Sequence, residues 1–397
     1  MPQRPGYHFD RPWIAGSTAA AGLSIGIGRE ADYIGPRMEP LILHEVHETL
    51  NARFAALDGC EIVADYGDVA AEYRALRDRA GVIDLSFRGR LCLTGADRVR
   101  FLHGQVTNDI KRLGAGEGCY AALTTAKGKM ESDLFVYNLA GELLLDFEPG
   151  LAERVTQRLE KYLVADDVQV VDVSAHYGLL AVEGPAAETA VRALEIFPQL
   201  PSKPLSFVAH NDATLGELYL VNQARLGTRG FDLFVPAAAL GAVADKLVAA
   251  AKAAGGRACG WSAFDAARIA AGVPRFGVDM DETNLPQETG LEGRAVSYSK
   301  GCYIGQEVLN RLHTMGHVNR ELRSLSFPGE IAPLPVKGEK LLHQGKETGY
   351  VTSAAVVPDT GTTRALGYLR REAGAVGTEI ELAGSAGRAP GKVINPV

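Results

Sequence analysis

Downstream of residue 317 the chain reads as short strands only, and this restricts the fold more than any other feature. Segments 322–327, 340–343, 349–357, 364–369 and 378–382 are separated by glycine and proline turns. No stretch there has the three-and-four apolar spacing of a helix. Five such strands joined by tight turns predict a small antiparallel barrel, whose closure removes unpaired edges. A domain boundary is placed near residue 317, giving 38–316 and 317–397.

The part before it mixes both periodicities. Tyr73, Leu76 and Ala80 recur at helical spacing over 69–80, with Gly81 as the stop. Strands follow at 119–124, 131–138 and 142–147 with no helix between them, the pattern of an antiparallel meander. Leu151, Val155, Leu159 and Leu163 then line one face of a helix. Strands at 168–173 and 179–182, a helix at 186–197 and a strand pair at 217–221 and 231–236 come next. An alanine-rich helix at 237–254 and a helix from 259 to 269 complete this part. Local pairing outnumbers crossovers, so the fold class is α+β rather than a doubly wound sheet. The role of 41–50 is left open.

A chain of 397 residues with 46% hydrophobic content has material for two or three domains. With 41 basic against 48 acidic residues the net charge is -7, so no general phosphate-binding surface and no direct nucleic-acid partner is expected. Cysteines at 60, 92, 119, 259 and 302 are odd in number and never form a C-x-x-C pair. That argues against a disulfide framework and for a reducing, cytoplasmic setting. No apolar run reaches the roughly 20 residues of a membrane span. Residues 1–37 read as a disordered tail, with Met38 a second candidate for the natural start. His313 and His317 share a helical spacing, but no further ligand completes a zinc set, so no metal site is assigned.

The densest chemistry lies in Lys300-Gly301-Cys302-Tyr303-Ile304-Gly305-Gln306-Glu307. Gly305 reads as the entry to a helix carrying Val308, Leu309 and Leu312, which places Cys302 just before a helix N-terminus. The helix-end potential and Lys300 would both favour a thiolate. Packing of a small cysteine in a glycine turn is the alternative. A turn at 114–118 is glycine-rich, but no Gly-Lys-Ser/Thr follows and it is not a P-loop.

Lys-Gly-Cys-Tyr-x-Gly-Gln-Glu resembles the signature of the YgfZ-type folate-binding proteins, relatives of the glycine cleavage T-protein. The likeness extends from about residue 41 through 102–111, 227–236 and 265–283. It implies α+β subdomains around a central folate cavity with a C-terminal barrel, and tetrahydrofolate as the cofactor. It further implies a role in assembly or repair of iron-sulfur proteins, indirectly in tRNA modification, with those proteins or their assembly factors as partners. A folate-dependent aminomethyltransferase or demethylase is the alternative.

Carried across residue by residue, the resemblance assigns Asp232, in Gly230-Phe231-Asp232, to the pterin, and Tyr120, Arg268 and Asp133 to the folate cavity. Cys302, with Lys300, is the candidate working thiol at the cavity mouth. One departure stands out: where relatives carry Asp-Asp this chain has Ser132-Asp133. A serine cannot hold the charge linked to aminomethyl transfer, which counts against that chemistry. Arg225 likewise stands where relatives have an aromatic residue.

Overall fold

The C-terminal strands close on themselves. In this computed structural model, which describes residues 39–139 and 141–395, they form a six-stranded antiparallel barrel in the order Arg320–Phe327, Thr362–Arg370, Lys346–Val357, Lys340–His343, Glu379–Gly384 and Gly387–Ile394. Five strands were legible. The sixth holds Gly387, Gly391 and Pro390, residues that weaken a strand, yet it pairs with both of its neighbours and seals the cylinder. Leu325, Phe327, Leu341, Val351, Leu369, Leu382 and Val393 fill the interior. Each such side chain stabilises the fold by about 1.5–3 kcal/mol relative to exposure. The expected tail at 1–37 lies outside the described residues.

Two larger sheets precede the barrel. Five strands run in the order Gly118–Thr124, Met130–Asn138, Leu143–Phe147, Gly89–Thr94 and Gln169–Asp172, antiparallel throughout. The helix Ala152–Glu160 lays Val155 and Leu159 on this sheet's core. Six strands form the other sheet, ordered Phe207–Asp212, Gly216–Val221, Gly230–Pro236, Tyr177–Glu183, Gly81–Asp84 and Arg257–Ala258; only the last pair is parallel. Leu240, Val243, Leu247 and Ala251, spaced by three and four, seat the helix Leu240–Ala253 against it. The α+β class and the barrel both follow the sequence reading.

Local differences have local causes. The helix expected to reach residue 80 spans Val69–Asp78, capped at its start by the Asp68 side chain. Gly81 opens a strand rather than ending the helix. The undecided 41–50 segment contains the short helix His44–Thr49. A hairpin of Arg53–Leu57 with Cys60–Asp65 went unread, although its Asp58-Gly59 turn, with φ of 50° and 85°, carries the usual hairpin signal. Among the described residues no helix is long and apolar enough to cross a membrane.

Candidate active site

Segments far apart in sequence converge on one cavity. The five-stranded sheet supplies Tyr120, Asp133 and Phe135, the residue after its strand Leu143–Phe147 is Glu148, and the turn after Gly216–Val221 supplies Gln223 and Arg225. Trp261, Phe264 and Arg268 come from the helix Trp261–Ala270, with Arg88, Arg275 and Arg294 from loops and a short helix. This inner cavity encloses about 80 Å³. A cleft of about 530 Å³ shares Tyr120, Gln223, Ala224 and Arg294 with it; together they reach the several hundred Å³ of an ordinary small-molecule site. Another cleft of about 680 Å³ is lined by Arg74, Arg79, Lys252 and Arg257. It lies at the C-terminal ends of the helices Val69–Asp78 and Leu240–Ala253, where cations complement the carbonyl ends, and it lacks a converging set of acids and aromatic walls.

Strand alternation decides which acid faces the cavity. Along Met130–Asn138, Asp133 and Phe135 line it, whereas Ser132, Leu134 and Val136 are fully buried on the opposite face. Ser132 only donates to the carbonyl of Asp133, at 3.0 Å. The Tyr120 hydroxyl donates to Asp133 Oδ2 at 2.8 Å, and Oδ1 is sealed from solvent with no hydrogen-bond partner among the described residues. Burial and the neighbouring Glu148 charge push the Asp133 carboxyl up to about 6, against the lowering effect of Tyr120 and Arg88.

A network of ion pairs supports this wall. Arg88 joins Asp146 at 2.7 Å and Glu148 at 2.5 Å, and Arg275 reaches Glu148 at 2.6 Å. Burial alone would raise the Glu148 carboxyl, but the two guanidinium groups hold it below its ordinary value. Arg225 ties the two sheets together, binding Asp232 of one at 2.7 Å and Asp146 of the other at 2.7 Å. Arg294 is exposed, stacks over Tyr120 at 5.5 Å, and has no ion pair among the described residues.

The residues singled out from sequence are distributed unevenly. Tyr120, Asp133 and Arg268 line the cavity, as does Arg225. Asp232 does not: it is fully buried and both its oxygens accept from Arg225. The residue assigned to the pterin by resemblance thus has both its acceptors facing a guanidinium that the sequence pattern did not connect to it. Lys300 is turned inward, its Nζ donating to the carbonyls of His103, Val106 and Asn108 at 2.5, 2.6 and 2.9 Å. Burial lowers it to about 8. The lysine therefore ties the motif to the end of the helix Arg98–Gln105. Gly305, with φ of 90°, packs where an added Cβ would come within 2.6 Å of the Thr125 carbonyl, which explains its place in the motif. Cys302 is free and exposed, lies ahead of the helix Gln306–Met315, and is absent from the cavity walls. Glu148, Arg88 and Arg275 went unread; each is drawn in by partners about 60 to 130 residues away, at spacings no local pattern displays.

Residues 43–300 match the GCVT N-terminal domain, and residues 320–397 match the glycine cleavage T-protein C-terminal barrel domain. The chain belongs to the glycine cleavage T-protein family. Among T-protein relatives, it is 29% identical over 338 residues to the aminomethyltransferase of Rubrobacter xylanophilus, covering 83% of this chain and 87% of that protein. It is 26% identical over 341 residues to the aminomethyltransferase of Shouchella clausii, covering 86% and 92%. The crystal structure of glycine cleavage system aminomethyltransferase T from Bartonella henselae superposes with a TM-score of 0.79 over 90% of this chain and 97% of that one. At 23% identity that likeness concerns the T-protein fold.

Proposed function

We propose that this T-protein relative binds a reduced folate in the central cavity and transfers a one-carbon, aminomethyl-type group, with Asp133 as the proton-handling acid. The observation that carries this reading is the orientation of the Ser132-Asp133 pair. The serine that counts against transfer chemistry faces the core, and the carboxylate on the cavity side is retained. The names of the relatives at 26–29% identity support the same class.

The walls suit such a ligand. Tyr120, Phe135, Trp261 and Phe264 offer flat apolar surface for a fused ring. Each Glu148 oxygen takes one guanidinium bond and keeps acceptor capacity for a donor-bearing ring edge. Arg294 offers an uncommitted guanidinium to an anionic tail in the outer cleft. Tetrahydrofolate, when bound, supplies the nitrogen that accepts the one-carbon unit. Asp133, held by Tyr120 and pushed up to about 6, takes or returns a proton at its carboxyl near neutral pH. Arg225 neutralises Asp232 and Asp146 behind the wall, and Arg88 and Arg275 hold Glu148. In this reading 38–316 is the folate-binding domain and 317–397 a barrel domain. Titration of tetrahydrofolate into the protein, followed by turnover with an aminomethyl donor, tests it; absence of heat and of any fluorescence change at high ligand overturns it.

A second reading is favoured by the exposure of Cys302 beside a rigidly anchored lysine. Here the chain is a YgfZ-type protein that binds folate and serves iron-sulfur assembly or repair in the cytoplasm, its thiol directed at a partner protein rather than at the one-carbon group. Cys302→Ala then leaves folding and folate affinity unchanged but abolishes support of iron-sulfur enzymes. Full complementation by that variant removes the thiol from any such role.

A further inference from the structure

A buried carboxylate links the barrel to the cavity wall. Asp279 is almost completely buried. Its Oδ2 accepts from Arg268 Nη1 and from the Arg275 backbone N–H at 3.1 Å. Its Oδ1 accepts from Thr352 Oγ1 at 2.5 Å and Ser353 Oγ at 2.6 Å. Thr352 and Ser353 belong to the barrel strand Lys346–Val357. Consecutive strand residues ordinarily point to opposite faces, so they cannot both reach one oxygen. Here the register slips: Val351 pairs with Gly367 and Ser353 with Leu366, which leaves Thr352 as an extra, bulged residue. The bulge is what turns both hydroxyls to one acceptor. Thr352 Oγ1 also lies 3.1 Å from the Leu366 carbonyl, but its single proton goes to the nearer Asp279 Oδ1 at 2.5 Å.

On the other side of Asp279 stand two arginines of the cavity wall. Arg268 is 4% exposed and is held by Asp265 at 2.8 Å and by the Val273 carbonyl at 3.2 Å as well as by Asp279. Arg275 binds Glu148. We infer that Thr352 and Ser353 are positioning residues for the ligand cavity: the barrel bulge saturates Asp279, and Asp279 sets Arg268 and the backbone of Arg275 in the wall. The barrel is thus part of the binding machinery rather than an appended module. The inference rests on the reading that this cavity holds a reduced folate.

The test compares Thr352→Val, Ser353→Ala, the double variant and Ser353→Thr with the unaltered full chain. Two hydrogen bonds to a buried carboxylate are lost in the double variant, which predicts about ten-fold or greater weakening of tetrahydrofolate binding. In transfer assays KM for the folate rises while kcat stays within about two-fold, the mark of altered positioning rather than lost chemistry. Ser353→Thr keeps its hydroxyl and retains affinity, and the single variants each remove one bond should the double variant fail to fold. Hydrogen exchange, which needs no ligand, quickens in the helix Trp261–Ala270 and in residues 273–280. Unchanged exchange there overturns the inference whatever the folate result. Unchanged folate affinity in a protein that binds tetrahydrofolate overturns it as well. Failure of the unaltered protein to bind tetrahydrofolate instead overturns the folate reading, and the exchange comparison still decides the clamp.

Discussion

Replacing Asp133 by Asn should make the protein more stable and less active. The carboxyl is carried from an ordinary 3.8 to about 6, first by burial and then by Glu148. A carboxyl raised in this way binds its proton more tightly in the folded than in the unfolded chain. Its ionised form therefore disfavours the fold above about pH 6, and the penalty disappears below pH 3.8. Carrying the carboxyl from 3.8 to about 6 corresponds to about 3 kcal/mol at pH 7. Asparagine retains a carbonyl to accept from Tyr120 and places an amide where Oδ1 has no partner. Urea unfolding of the two proteins between pH 4 and 8 should show the variant gaining up to about 3 kcal/mol at pH 7 and converging with the parent in acid. Folate transfer should fall by about a hundred-fold or more, as loss of a general acid-base predicts. A variant that is destabilised at pH 7, or whose stability difference does not vary with pH, would refute the argument.

Other consequences are more direct. Tyr120→Phe removes the hydrogen bond that holds the Asp133 carboxyl down, so the acid limb of the transfer profile should move to higher pH, read from kcat against pH. Arg225→Met leaves Asp232 buried with both oxygens unpaired and should cost about 3–5 kcal/mol in urea unfolding at pH 7. Burial raises Asp232 despite Arg225, so this loss should shrink in acid as Asp232 protonates, and adding Asp232→Asn should recover part of it. A change within about 1 kcal/mol for Arg225→Met would mean that the pair contributes little.

What was readable in the chain followed from local rules. Helices appeared where apolar residues recur every three or four positions, because that spacing makes one buried face. The meander and five barrel strands appeared where glycine and proline interrupt short apolar runs. The sixth barrel strand escaped because its pairing partners, not its own residues, hold it. Tyr120, Asp133 and Arg268 could be placed by resemblance to the T-protein family, and the bulge at Thr352 could not, since a register slip exists only between two strands.

The sequence by itself determined the α+β class, most of the barrel and the Ser132-Asp133 departure from an acidic pair, because periodicity, turn chemistry and residue identity are local. Tertiary structure alone decided what those residues do. Arg225, seven positions from Asp232 and 79 from Asp146, closes over both and withdraws Asp232 from the cavity. Lys300 meets carbonyls nearly 200 residues earlier and so becomes an anchor. Ion pairs and buried carbonyls act across space at a few ångströms regardless of separation along the chain, and only the folded arrangement shows which charge is left to face a ligand.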